Sequence, residues 1–335
     1  MPSIQQQNEI NGHNTMNNLI EIKNLIVSFE TEEGKVEALD GVEFQIEEGT
    51  IHGLIGETGC GKSITGMSIM GLLDNNALIE NGEILFKGKN ILKYSEKRLQ
   101  REIRGNEIAM IFQDPASSLN PVFTIKNQME EVIRMYQKAG KKEIVKRVME
   151  ELSRVKLPDV DSLIYKYPHQ LSGGMKQRVM IAMMLSCNPS LLIADEPTTA
   201  LDVSIQAQFL KILNDLRQEM HMTMLYITHN LAVISEICDK VSVMYAGRIV
   251  ETAPVRTLFK NAQHPYTYKL IHSVLGVENN LEDLEEIPGS VPRLINPPKG
   301  CRFHPRCEEA KEICSKKVPK LKKIGEKHFV ACHER

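Results

Sequence analysis

The 335-residue chain lacks any apolar stretch long enough to span a bilayer. Its longest, Val179 to Leu185, falls far short of the ~18 residues a spanning helix needs, so the chain itself is expected not to cross a membrane. It also lacks the basic start and apolar core of a secretion signal. Residues 1–18 are polar, rich in Asn and Gln, nearly uncharged, and read as a disordered leader. Without such a signal a reducing compartment is expected, which disfavours disulfides among the seven cysteines. The net charge is only −2, so there is no general case for nucleic acid or an anionic membrane surface as partner. No internal repeat is visible. What is left, 42% hydrophobic and 25% charged, suits an ordinary globular chain of one large domain with an appendage, or two domains.

What is present centres on Leu54 to Ser63. Gly56, four residues, then Gly61-Lys62-Ser63 fits the phosphate-binding loop pattern. A short apolar run (51–55) precedes it and helical spacing (64–73) follows. Glycines, Gly59 among them, let backbone N–H groups turn toward one point, where a helix N-terminus adds positive potential. Lys62 would reach the β- and γ-phosphates of ATP, and the Ser63 hydroxyl would ligate Mg²⁺. A glycine-rich strand-to-helix turn could also arise by chance, which a second phosphate motif makes remote. Cys60, inside the loop, is expected to be open to thiol reagents when nucleotide is absent.

Around the loop, strand and helix patterns alternate. Ile20–Phe29, Val36–Ile46 and 82–88 read as strands of a small antiparallel layer, with a turn at Glu32-Glu33-Gly34. Apolar runs at 108–112, 191–194 and 224–228 read as buried strands, and 241–245 with 248–251 as a hairpin through Ala246-Gly247. Residues 203–217 carry Ile205, Phe209, Ile212, Leu213 and Leu216 on one helical face. The expected fold class is α/β, a P-loop NTPase core with a mostly parallel sheet. Helical periodicity from Ile125 to Arg154 interrupts the alternation and reads as an inserted helical lobe. Met175, Met180, Met183 and Met184 read as core packing. After Pro254 the periodicity weakens. Residues 278–286 are acidic and read as a linker, and Pro288, Pro292, Pro297 and Pro298 exclude regular helix.

The apolar run 191–194 delivers Asp195 and Glu196. Asp195 can hold the Mg²⁺ shell, and Glu196 can orient and polarise the water that attacks the γ-phosphate. Such a run often marks only a strand entering a capped helix, but paired with the phosphate loop it points to an ATPase. Leu171-Ser172-Gly173-Gly174-Met175-Lys176-Gln177 then decides the family. It resembles the signature of ATP-binding-cassette (ABC) ATPases. The resemblance places Gln113 in the glutamine loop, a catalytic and Mg²⁺-contacting position, Ala200-Leu201-Asp202 in the Asp-containing loop, and His229 as the switch histidine. Taken by itself His229 would suit a buried structural role, and its place at a strand end after the other motifs reverses that reading. Phe29 lies at the distance for stacking on adenine and fits equally as a strand-core residue.

The resemblance implies that Ser172 and the Gly173 and Gly174 amides bind the γ-phosphate of an ATP held by the opposite subunit, with Asp202 beside it. Two ATPs are then sandwiched head-to-tail. Glu196, His229, Gln113 and Lys62 carry catalysis; Gly56, Gly59, Cys60, Gly61, Ser63 and Ile64 surround the phosphates. Two positions depart from the usual pattern. Ile64 replaces a hydroxyl residue, losing one contact but not its backbone amide, and Asn230 follows the histidine where aspartate is common.

Residues 113–121 (Gln-Asp-Pro-Ala-Ser-Ser-Leu-Asn-Pro), Tyr167-Pro168-His169-Gln170, His264-Pro265-Tyr266-Thr267 and Gly300–Cys307 resemble the subfamily that imports oligopeptides, dipeptides or nickel. This implies an ATPase domain over 19–263, with its helical lobe at about 114–175, and a C-terminal region over 264–335. It also implies docking on two membrane permease subunits at the cytoplasmic face, a second cassette (a paralogue or a second copy), and, indirectly, an extracellular peptide-binding protein. The competing reading is a soluble cassette acting on nucleic acid or ribosomes. Such proteins usually carry two cassettes, a coiled-coil insert or a basic face, none of which is evident.

Cys301, Cys307, Cys314 and Cys332 crowd a tail in which eleven Lys/Arg face five Glu. Four soft ligands in a basic, core-poor tail suggest a tetrathiolate site. The absence of Cys-x-x-Cys disfavours a zinc ribbon. Reduced thiols remain open as a reading, and His304, His328 and His333 compete as ligands. The subfamily resemblance implies a structural 4Fe-4S cluster on the four cysteines.

Overall fold

The structure, a computed structural model, describes residues 18–112, 118–136, 140–198, 202–275 and 287–335. Two sheets organise it. The smaller holds β1 (Asn18–Thr31), β2 (Gly34–Glu47), β4 (Ala77–Phe86) and β5 (Lys89–Asn90) in the antiparallel order β2-β1-β4-β5. The larger runs β11 (Lys322–Gly325), β12 (His328–Val330), β10 (Arg248–Pro254), β9 (Lys240–Tyr245), β3 (Ile51–Ile55), β8 (Thr223–Thr228), β7 (Leu191–Asp195) and β6 (Ile108–Ile111). From β9 to β6 every pairing is parallel. Every residue of β3, β6, β7 and β8 is buried. Helices cover both faces of a parallel sheet, so its strands read as apolar runs rather than alternations.

The loose alternation of the first strand has a local cause. β1 changes register against β2 and β4 between Ile22 and Phe29, and Asn24 adopts φ 46 there. Bulges of this kind shift which side chains face the core. Of the expected leader, residues 1–17 lie outside the described residues, and Asn18 opens β1.

Helix α1 (Lys62–Met70) leaves the phosphate loop and stops at Gly71, whose φ of 63 lets its N–H return to Met67 and Ser68 carbonyls. The inserted lobe consists of α2 (Ile125–Tyr136) and α3 (Lys141–Arg154) leading to α4 (Gly173–Leu185). Met129, Ile133, Val148, Leu152, Val179, Met180 and Met183 share one core with Phe209 and Leu213 of α5 (Val203–Met220), which makes the methionines packing residues as expected. Among the described residues no helix is long and apolar enough to cross a membrane.

After α6 (Leu231–Ile237) comes the expected hairpin, β9–β10, turning through Ala246 and Gly247, both at positive φ. Weak periodicity then hid two helices, α7 (Val255–Lys260) and α8 (Pro265–Leu275). α8 buries His264, Thr267 and Lys269 around it along with Tyr266 and Ile271, so its inner face does not read as apolar. The acidic stretch 278–286 lies outside the described residues. No helix forms over the Pro-rich residues 287–303.

The last 35 residues are not the core-poor appendage they resemble in sequence. β12 pairs with β10 through Glu251↔Val330 and Thr252↔Phe329. Phe303 is buried edge-on against Tyr245 at 5.2 Å and tilted on Tyr266 at 5.4 Å. The tail folds by borrowing the core of the main sheet.

Candidate functional site

The phosphate loop begins where β3 ends, and its first glycine has no room for a side chain. A Cβ on Gly56 would lie 2.1 Å from the Met244 carbonyl oxygen of β9. The loop returns into Gly61, the N-cap of α1, at φ 108. Lys62 is buried beneath it, and its ammonium donates to the Gly56 carbonyl at 2.9 Å and the Glu57 carbonyl at 3.1 Å. Ser63 Oγ lies 3.0 Å from Asp195 Oδ1, across 132 residues of sequence. Burial pushes the Asp195 carboxyl above its ordinary range, partly offset by the Ser63 hydrogen bond. A hydroxyl and a buried carboxylate side by side form the hard-oxygen pair that Mg²⁺ prefers. The donor set fits the ion.

Glu196 turns the chain at φ 46, pinned by its N–H to the Ile227 carbonyl at 2.9 Å. The buried Gln177 side chain holds the next residue through the Pro197 carbonyl. Glu196 Oε1 meets His229 Nδ1 at 3.1 Å. Asn230 caps α6, its Oδ1 accepting from the Ala232 N–H at 2.9 Å, as an aspartate would.

Lys62, Ser63, Ile64, Glu196, His229, Gly59, Gly61 and Phe29 line one cavity of about 630 Å³. Thr31, Val36, Ala38, Thr58, Asp74, Asn76 and Leu294 complete its lining; apart from Thr58, which lies in the phosphate loop, reasoning from the sequence named none of them as site residues. Among the described residues, Ser172, Gly173, Gly174 and Asp202 do not line it. Ser172 instead caps α4, accepting from the Met175 N–H at 3.3 Å, and Ser172, Gly173 and Asp202 are exposed. Gln113, Ala200 and Leu201 lie outside the described residues.

Two expectations are corrected. Cys60 is fully buried, and burial pushes its thiol up to about 11 despite the Lys62 ammonium nearby. It is not open to solvent. The expected 4Fe-4S site is also overturned. Cys301, Cys307, Cys314 and Cys332 do border a common space, but its volume is about 10 Å³, room for roughly one water. Among the described residues no group of three or more His, Cys, Asp or Glu is placed to hold a metal ion. Burial raises the Cys301, Cys307 and Cys332 thiols, Cys307 to about 11, which disfavours the thiolate a metal needs. The competing histidines are engaged elsewhere: His328 with Glu251 at 2.7 Å, His333 with the Lys317 carbonyl and His304 with the Cys301 carbonyl, both at 2.8 Å. The tail needs no cluster to knit it because the Tyr245, Tyr266 and Phe303 rings and the β10–β12 ladder already do so.

Comparison with known proteins agrees with the geometry. Residues 39–199 match the family model described as ABC transporter, and residues 250–314 match that of the oligopeptide/dipeptide transporter C-terminal region. A probable peptide ABC transporter ATP-binding protein of Sinorhizobium fredii is 46% identical over 94% of both chains. The oligopeptide transport ATP-binding protein OppD of Bacillus subtilis is 45% identical over 93% of this chain and 87% of that one. The dimeric bacterial ABC transporter cassette MJ0796 matches with a TM-score of 0.63 at 28% identity, covering 71% of this chain and 99% of that one; its post-hydrolysis dimer with ADP and Pi matches equally. With a phosphate loop, a buried Ser63–Asp195 pair and a Glu196–His229 contact on one cavity, and relatives alike over nearly its whole length, the chain belongs to the ATP-binding proteins of the ABC transporter family.

Proposed function

We propose that this chain binds and hydrolyses ATP to drive an importer of dipeptides or oligopeptides. The observation that carries the reading is the meeting of Lys62, Ser63, Glu196 and His229 on the lining of a single cavity. There Lys62 holds the phosphates, and Glu196 orients a water and takes its proton as the oxygen attacks the γ-phosphate. With its proton on Nδ1, His229 donates to Glu196 and fixes the carboxylate. Ser63 and Asp195 would hold Mg²⁺, which neutralises charge on the phosphates.

The exposed Ser172 helix tip, outside this chain's own cavity, suits a γ-phosphate held by a second cassette. The dimeric state of the matching MJ0796 cassette supports pairing of two cassettes, and the head-to-tail arrangement belongs to this reading. The names and C-terminal region shared with peptide transport relatives support the peptide cargo; a permease pair and, indirectly, an extracellular binding protein complete this reading. In this reading the chain sits peripherally at the cytoplasmic face, with the α2–α3 lobe against the permeases and a paralogue or second copy as its partner cassette.

Glu196→Gln tests it. ATP binding should persist while turnover falls by about 10²–10⁴, the worth of a positioned base. Uptake of labelled dipeptide by cells carrying the matching permeases should stop. Turnover at the wild-type rate would remove Glu196 from the reaction, and uptake unaffected by loss of the chain would remove the peptide assignment.

A further inference from the structure

The nucleotide cavity has apolar lining that the phosphate motifs do not explain. Phe29 and Val36 are cross-strand partners on β1 and β2, and both line it. Leu294, from the Pro-rich segment near the other end of the chain, lines it beside them. Backbone bonds fasten this segment: Val36 bridges Ile295, and the Glu37 N–H donates to the Leu294 carbonyl at 2.8 Å.

A second attachment leads to the phosphate loop. Arg306, almost wholly buried, grips Glu57 with two nitrogens at 2.8 and 3.3 Å. The same guanidinium donates to the Ile287 carbonyl at 3.1 Å and the Pro288 carbonyl at 2.8 Å, at the start of the segment that carries Leu294. The Glu57 N–H donates to Tyr266 Oη of α8 at 3.0 Å. Glu57 is an anion inside a loop built to hold phosphates, and the Arg306 pair cancels its repulsion at close range.

We propose that the C-terminal segment is part of the nucleotide site: Leu294 covers the base and ribose end together with Phe29, and Arg306 positions that wall against the phosphate loop. This rests on reading the cavity as an ATP site. The cavity's lining supports it: Phe29, Val36 and Leu294 are joined through the β1–β2 pair and the Glu37–Leu294 backbone bond into an apolar wall, while Lys62, Ser63, Glu196 and His229 supply polar groups to the same cavity. A base presents a flat apolar face, and a triphosphate does not.

The test measures affinity of the full chain with Mg²⁺ for ATP and for inorganic tripolyphosphate, which has no base. Leu294→Ala should weaken ATP about threefold to tenfold, the worth of one or two buried methylenes, and leave tripolyphosphate unchanged. Leu294→Met, which keeps the volume, should restore ATP affinity. Arg306→Gln should weaken both ligands, with Arg306→Lys recovering only part because one ammonium cannot replace the two-point grip. Unchanged ATP affinity in Leu294→Ala overturns the proposal. So does equal loss of both ligands, which would make Leu294 a mere prop of the fold. Wild-type protein that binds tripolyphosphate but shows no added affinity for ATP overturns it as well. Wild type binding neither ligand would instead overturn the reading of the cavity as an ATP site, and the proposal with it.

Discussion

Replacing Gly56 with alanine adds one methyl group where the structure leaves no space. Its Cβ would sit 2.1 Å from the Met244 carbonyl oxygen, against a floor of 3.0 Å for real contacts, and 2.8 Å from Cys60 Sγ. Something must move by about 0.9 Å, the difference between those two values. The oxygen belongs to β9, which is laddered in parallel to β3 through Ile55↔Val243. Opening that ladder by such a step takes bonds of about 2.9 Å beyond hydrogen-bonding reach. Overpacking of this sort costs about 1–3 kcal/mol, and the displacement falls on the loop that holds the phosphates. Gly59 is the control. A Cβ there meets nothing within 4 Å, and only its φ of 81 opposes alanine, at about 1–2 kcal/mol. Nucleotide titration with a fluorescent ATP analogue, alongside denaturant unfolding of the free protein, separates the two. Gly56→Ala should lose more than about tenfold in affinity and also stability as its loop shifts, whereas Gly59→Ala should lose stability only by the cost of its backbone conformation. Wild-type affinity in Gly56→Ala would show that the loop tolerates displacement and refute the steric argument.

Cys60 should resist iodoacetamide at pH 7.5 even without ATP, since it is buried and its thiol sits at about 11; peptide mapping that finds fast, ATP-protected labelling there would contradict the placement. Asp195→Asn should abolish Mg²⁺-dependent turnover yet raise the stability of the free protein relative to wild type, increasingly so as pH rises. The sign follows from burial: with its folded value raised above 3.8, the carboxyl contributes stability at low pH that is lost as pH rises through the folded value. A melting difference that shrinks from pH 4 to 7 would reverse that sign. His52 and His264 are both driven down to about 3 by burial. Their folded values are depressed, so the stability they contribute is complete above 6.5 and drains away toward about 3, at up to about 1.4 kcal/mol per pH unit each. Denaturant midpoints between pH 7 and 4 should fall, less steeply in His264→Gln; a flat profile would count against a neutral His264.

The phosphate loop, Asp195, Glu196 and His229 were legible because each lies where a buried strand runs out. Apolar runs of four to six residues mark those strands, and the polar residue that follows each one marks the sheet edge where the cavity forms. The side chain of Cys60 was not legible, because pattern shows that a residue is in the loop but not which way it points. Leu294 and Arg306 could not be found at all. Each acts across more than 240 residues of sequence, on Glu37 and Glu57 respectively, and neither belongs to a periodic element. The missed helices have a similar cause. α7 is too short for periodicity, and α8 buries polar groups against the tail. The cluster expectation failed on a wrong premise about packing. Counting apolar residues in the tail alone made it look unable to fold, whereas Phe303 packs on rings from β9 and α8.

Asp195 and Glu196 also show how the fold supports an arrangement that its own burial and backbone disfavour. Asp195 is charged only at a cost in burial, and Glu196 occupies a left-handed backbone conformation worth about 1–2 kcal/mol of strain. Both follow directly from β7, whose neighbours on either side, β6 and β8, are buried throughout. The Ile227 carbonyl and the Gln177 side chain tie down the turn on either side of Glu196. Relaxing that turn would break a sheet bond and leave the buried Gln177 amide without its acceptor, costing about 1–3 kcal/mol for the unsatisfied group alone. The strain therefore persists, and Glu196 Oε1 stays at 3.1 Å from His229. Gln177 lies five residues beyond Ser172 on the helix whose tip would face a second cassette. A shift of that helix on pairing with a second cassette would bear directly on the turn carrying Glu196.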